Sequence, residues 1–248
     1  MFDEQTLKKL REVYNSQHSN EIPLDENDIW NSLKKRLHKK CKDGKTSCII
    51  SQLLNRPKAP KTWITNPEEW LSSTDIENLE KQYEKLFPTY KFLGCIPIDF
   101  DLKSKTGECL VNVLCSLKIT DLKEKGYKQI GIIFNTDKHD GPGKHWFSLF
   151  GNIDENLEFP RITYFDSYAS NVEKEIKILM TRWKDEIDKL NLGKTQLTRN
   201  TTRHQYKDSE CGIYSLYFHY CCLLNIPMDE KIPDDVINKF RKLLFKVG

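Results

Sequence analysis

The 248 residues are 38% apolar, enough for one large domain with an ordinary soluble core, or for one domain with a small appendage. Charged residues reach 30% but nearly cancel to +3, so the whole-chain field supplies no general affinity for nucleic acid or for an anionic membrane. No apolar run reaches the roughly 18 residues of a membrane span, and the amphipathic opening MFDEQTLKKLREVYNSQ is unlike a signal peptide, so an intracellular protein is expected.

Residues 1–60 read as a helical appendage: a helix over 2–14, a second in DENDIWNSLKKRLHKKC with Asp25 as candidate N-cap, and a third in TSCIISQLLN. The second carries a basic run, Lys34, Lys35, Arg36, Lys39 and Lys40, which leaves room for nucleic acid as a partner; a solvated helix face is the plainer reading. RPKAPK, Arg56 to Lys61, breaks the pattern with two prolines and is the candidate linker. From there to residue 248 helices and strands alternate. SSTDIENLEKQYEKLF is a helix with Ser72 or Ser73 as cap, YKFLGCIPIDF is a strand, CLVNVLCSL is ambiguous, and QIGIIFN is a buried strand. HWFSLFGNI and PRITYFDSY are two strands about a polar turn, followed by a long amphipathic helix in NVEKEIKILMTRWKDEIDKLN and a strand in KTQLTRN. GIYSLYFHYCCLL is a buried helix and PDDVINKFRKLLF closes the chain, so the expected class is α+β, a sheet packed by helices.

Eight cysteines invite a disulfide framework, but a chain this large with its own apolar segments points to mostly reduced thiols that pack as small hydrophobes. None has CxxC spacing and no histidine stands at a ligand interval, so no structural metal is expected.

One constellation carries chemistry. If the two strands around the polar turn pair about a centre near Glu155 and Asn156, His145 falls opposite Asp166, and a carboxylate there can orient an imidazole. Cys211 stands at the start of the buried helix, where the helix dipole and a neighbouring histidine favour the nucleophilic thiolate. Gly212 presents no side chain to obstruct a substrate carbonyl, and Gln205 can turn its amide toward the same oxygen. Asp208 and Glu210 flank the cysteine; pointing inward they would oppose its ionisation, whereas Asp208 could instead cap the helix. Each residue alone is more simply a buried cysteine or a satisfied core histidine, and only the set of four argues for catalysis.

The order His145-Trp146, Asp166, then Gln205 to Cys211-Gly212 resembles the catalytic signature of the Ulp1/adenain superfamily of cysteine proteases, which includes SUMO-deconjugating proteases and maturation proteases of large DNA viruses. SECG, ending at Gly212, resembles the viral members at least as much. The resemblance runs from about Trp63 to the C-terminus. It implies the Ulp1/adenain-like fold, a triad of Cys211, His145 and Asp166, an oxyanion donor in Gln205, and Trp70 and Trp146 as a clamp on a Gly-Gly passage. It also implies a place in the host cytoplasm or viral factory, or in the virion. Where SUMO proteases usually have WLND, this chain has WLSS, so the acid they present to SUMO is Ser73 here.

The expected function is therefore a thiol endopeptidase that cleaves after Gly-Gly-like sequences in viral precursors, with no cofactor and no membrane contact. A second expectation is a deconjugase for a ubiquitin-like or SUMO-like modifier. A third, a binding module without catalysis, gives no reason to keep four aligned catalytic residue types.

Overall fold

Alternating side chains set the centre of the fold. Along β2 (Gln129–Asn135), Ile130, Ile132 and Phe134 enter one apolar cluster while Ile133 enters another on the opposite face, the two-residue period of a strand buried on both sides. The computed structural model describes residues 2–246. Five strands, β1 (Tyr90–Pro97), β2, β3 (Trp146–Asn152), β4 (Arg161–Phe165) and β5 (Gln196–Arg199), form one sheet in sequence order. The outer pairs are parallel and the inner two antiparallel, so the sheet is mixed and the class is α+β, as expected.

Helices cover both faces. On one lie α1 (Glu4–Gln17), α2 (Ile29–Leu37), α3 (Thr46–Leu53), α4 (Ser73–Leu86), α8 (Cys211–Leu224) and α9 (Asp234–Leu244), which share a single core cluster. On the other lie α5 (Asn112–Cys115), α6 (Ile119–Glu124) and α7 (Lys174–Ile187); α7 buries Ile176, Leu179, Met180, Trp183 and Ile187, the stripe of an amphipathic helix. Helix α8 is buried nearly all round, so it passes through the core and carries Cys211 at its first position.

Local signals explain most boundaries. Ser72 and Asp75 close a capping box at the start of α4. Helix α2 is capped by Asp28, whose carboxylate accepts from the Asn31 N–H at 3.0 Å, and not by the expected Asp25, which lies too far before the first turn. The basic run lies on α2 and the turn after it, with Arg36 bonded to the Asn20 carbonyl and Lys34 over the Trp30 ring. In the proline-rich segment Lys58 bridges Lys246 in parallel, and Lys61 opens a short 3-10 helix, Lys61–Ile64.

The cysteines depart from expectation. Cys41 pairs with Cys48 and Cys109 with Cys115, while Cys95, Cys211, Cys221 and Cys222 are free. Turns bring the paired Cα atoms to 5.7 and 6.3 Å, within disulfide reach, and spacings of seven and six residues match no motif that would reveal it. Among the described residues no helix is long and apolar enough to cross a membrane.

Where α4, α8 and β1 meet, Glu80 accepts from Tyr90 Oη at 2.8 Å and lies 2.8 Å from His219 Nδ1, all three side chains being buried. Gly131 in β2 makes room for this network, since a Cβ there would sit 2.1 Å from Tyr90 Oη. Gly131→Ala is therefore expected to cost about 1–3 kcal/mol by overpacking, read as a lower urea midpoint with an unchanged slope.

Candidate active site

Three element ends converge. His145 immediately precedes β3, and its carbonyl accepts from the Thr136 N–H at 2.9 Å, so the residue is held in the extended line of the strand. Asp166 immediately follows β4, and Cys211 opens α8. The β3/β4 register pairs Ser148 with Phe165 and Leu149 with Tyr164, two positions off the expected pairing, because the turn centre lies one residue later. The face of each side chain is unchanged by a two-residue slip. His145 and Asp166 consequently meet as diagonal neighbours past the strand ends, with Nε2 of the imidazole donating to Asp166 Oδ1 at 2.9 Å.

The aspartate is fixed before it acts. Its backbone N–H donates to Asn200 Oδ1 at 2.9 Å, its carbonyl accepts from Asn200 Nδ2 at 2.7 Å, and Oδ1 also accepts the Tyr168 N–H at 2.9 Å. Burial pushes the Asp166 carboxyl up, but the bond and charge of His145 and the Tyr168 N–H hold it below the ordinary value. Burial would lower His145, yet the hydrogen bonds to Asp166 and Cys211 and the charges of both raise it from 6.5 to about 9. At neutral pH the imidazole is thus protonated. With Nε2 spent on Asp166, Nδ1 is the nitrogen left for the sulfur.

Cys211 is 1% exposed, and no side chain caps the helix it opens. The first N–H groups of α8, that of Cys211 among them, are consequently free to bond a developing oxyanion. Gln205 is fully buried; its Oε1 accepts from Ser167 Oγ at 2.6 Å and one Nε2 hydrogen goes to the Lys207 carbonyl at 2.8 Å, which leaves the other. Asp208 does not cap α8: the N-cap position is Glu210, and Asp208 is exposed in the preceding loop. Glu210 is tied to Asn238 Nδ2 and the Ser209 N–H, both at 3.0 Å. Among the described residues no cluster of three or more His, Cys, Asp or Glu could hold a metal ion.

Trp146 is nearly buried and donates its indole N–H to the Leu71 carbonyl at 3.0 Å, while Trp70 stands 42% exposed. Both line a cavity of about 650 Å³ with Leu71, Ser73, Pro97 and Gly143. A Cβ on Gly212 would lie 3.1 Å from Leu71 Cβ and 3.3 Å from Trp146 Cδ1. Gly212 therefore lets the helix that Cys211 opens press against this wall, a tighter role than the open approach expected for it.

With this geometry in view, the model of the Ulp1 protease family, C-terminal catalytic domain, matches residues 114–246. The chain belongs to the Ulp1 protease family. It is 29% identical over 182 residues to R355 of Acanthamoeba polyphaga mimivirus, which carries a thiol-protease name, covering 72% of this chain and 57% of that protein. It is 32% identical over 122 residues to the cysteine protease S273R of African swine fever virus, covering 48% of this chain and 44% of that protein. The match thus spans about half the length of these relatives. The crystal structure of the African swine fever virus pS273R protease superposes on 99% of the chain and 91% of its own at a TM-score of 0.66 and 17% identity. The C-terminal Ulp1 protease domain in complex with Smt3, the yeast ortholog of SUMO, superposes on 72% and 78% at 0.50 and 19%. Both place the chain in the Ulp1-like protease fold.

Within this Ulp1-family site, three residues escaped the sequence reading. Asn200 anchors Asp166 from the end of β5, and Tyr168 stacks on the His145 ring with centroids 4.9 Å apart. Arg241 of α9 is 2% exposed, lies over the Trp63 ring, and donates to the Glu69 carbonyl at 2.5 Å and to the Ser209 carbonyl at 3.4 Å. It thereby joins the segment bearing Trp70 to the loop bearing Cys211. Only a buried arginine on an amphipathic helix hinted at it, and its partners lie far away in sequence.

Three outcomes follow from this geometry. Protonated His145 is present below about pH 9 and lost above it, so the alkaline limb of kcat/KM should fall near 9. Asp166→Asn removes the largest raising influence, and a pH–rate profile should show that limb displaced to lower pH. Arg241→Met removes a buried charge that has no carboxylate partner among the described residues, so Tm should shift by only a few degrees while kcat/KM drops about 10- to 100-fold.

Proposed function

We propose that the chain is a thiol endopeptidase whose nucleophile is Cys211, whose base and acid is His145, and whose orienting carboxylate is Asp166. The observation that carries this reading is the His145–Asp166 bond at 2.9 Å on an imidazole that also meets Cys211, contacts that together raise the His145 pKa. In the forward step the sulfur attacks the substrate carbonyl carbon, and the carbonyl oxygen takes the negative charge. The Cys211 N–H and the remaining Gln205 Nε2 hydrogen stabilise that oxyanion. His145 protonates the departing amine, then takes a proton from water as the water attacks the thioester; the C–S bond breaks, releasing the acid and returning the sulfur and the protonated imidazole to their starting state.

The substrate we propose is a polypeptide cut after a Gly-Gly-like sequence. Trp70 and Trp146 on one cavity support this, because indoles set close together pass a glycine backbone and reject larger side chains. A precursor-processing role inside the infected cell is favoured by the viral origin of the similar proteases. Ser73 at the WLSS position also speaks against the SUMO docking acid. The alternative, removal of a ubiquitin-like modifier, draws support from the fold shared with a SUMO-bound Ulp1 domain.

Short Gly-Gly-X peptides and folded modifiers with a C-terminal fluorogenic amide, assayed together, separate the two readings. Cleavage of the peptides at rates comparable to the modifiers supports processing, whereas turnover of folded modifiers alone supports deconjugation. In either assay Cys211→Ala should abolish turnover and Gln205→Ala should lower kcat by about 10²–10³. Full activity in Cys211→Ala would overturn the assignment.

A further inference from the structure

A ladder of rings and cations leads away from the imidazole. The Tyr168 ring lies on His145 at 4.9 Å and 27°, the Arg203 guanidinium lies over Tyr168 at 5.2 Å and over Tyr206 at 4.6 Å, and Lys231 Nζ lies 3.9 Å from the Tyr206 ring centre. The turn after β4 explains why it starts where it does: the Asp166 carbonyl accepts from the Ala169 N–H at 2.8 Å and Oδ1 from the Tyr168 N–H at 2.9 Å, which holds Tyr168 beside the imidazole bonded to the same Oδ1. Side chains of consecutive extended residues point opposite ways, so the ladder on His145 stands on the other flank of the site from Trp146.

The two cations are oriented but not neutralised. Arg203 is exposed and spends only Nε, which donates to the Gln205 carbonyl at 2.9 Å, and four further N–H groups remain. Among the described residues neither Arg203 nor Lys231 has a carboxylate partner, whereas the neighbouring Lys207 is paired with Glu68 and Asp235. Asp208, the exposed acid of the same loop, makes no ion pair with either. Tyr206 is 58% exposed and Arg203 and Lys231 also face solvent, so the outer part of the ladder is open while Tyr168 is half-buried. Ring faces hold a guanidinium in place without cancelling its charge, which is the condition for recognising an anion with little loss of side-chain entropy.

We infer that Tyr168, Arg203, Tyr206 and Lys231 form a subsite for an acidic side chain of the polypeptide substrate, on the segment that follows the cleaved bond. The inference rests on the reading that the residues before the cleaved bond pass between Trp70 and Trp146, so that the chain beyond it emerges over Tyr168. Two ring contacts carry the guanidinium at most roughly 10 Å from the imidazole, about three residues of extended chain. The acid therefore belongs at the second or third residue after the bond.

The test is a peptide panel identical except at those two positions, in Asp/Glu, Asn/Gln and Lys forms, assayed on the full chain. Wild type should cut the acidic form with kcat/KM about three- to fivefold above the lysine form, the range of a partly exposed charge pair, and high salt should shrink the difference. Arg203→Glu should invert the order, and Arg203→Met, which keeps the bulk over the rings, should flatten it; Arg203 faces solvent, so folding is not at stake. Equal rates across the panel with efficient cutting of the amide form, or an order unmoved by Arg203→Glu, would overturn the subsite and leave the protease reading intact. Failure to cut any form would overturn the reading, and the subsite with it.

Discussion

Everything at this site depends on one hydrogen bond, from His145 Nε2 to Asp166 Oδ1. It orients the ring, leaves Nδ1 for the sulfur, and together with the Cys211 contact raises the imidazole pKa against a burial that would lower it. The sheet supplies the precision. His145 and Asp166 sit just beyond paired strands, where side chains are free to meet diagonally but the backbone is still held by the ladder and by Asn200. A carboxylate so fixed orients the ring at little entropic cost.

Cys211, the proposed nucleophile, is located by a different constraint. Helix α8 is buried along nearly its whole length, so its position follows from core packing, and its uncapped first turn leaves N–H groups free where the thiol stands. Gly212 lets that turn press against Leu71 and Trp146, and Arg241 ties the same loop to the Trp70 segment from behind. The proposed base and nucleophile thus come from separate packing units, strand ends on one side and a helix start on the other. Their alignment is a property of the whole α+β core.

Much of this was legible in the sequence, because the informative patterns are local. Alternating apolar residues marked β2 and β3, the apolar run after Cys211 marked α8, and the spacing about the turn brought His145 and Asp166 together. What failed were competitions between near-equal local options. Asp28 and Asp25 are both fair caps, and only the helix start decides between them; Asp208 was outdone as the cap by a helix that begins later, after Glu210. The turn centre moved by one residue because Asp154 fixes it in a way that spacing alone does not show: its Oδ1 accepts the Asn156 N–H at 3.0 Å and its carbonyl accepts the Leu157 N–H at 3.1 Å. The disulfides, Asn200 and Arg241 depend on contacts between segments, which one sequence does not display.

The central claim, that Cys211 is the nucleophile served by His145 and Asp166, is most directly tested by covalent capture. A Gly-Gly peptide ending in a vinyl methyl ester, incubated with the native chain and followed by peptide-mapping mass spectrometry, should modify Cys211 and leave Cys95, Cys221 and Cys222 untouched. The same labelling should slow sharply in His145→Ala. Modification of another free cysteine in preference to Cys211, or labelling indifferent to His145, would contradict the account.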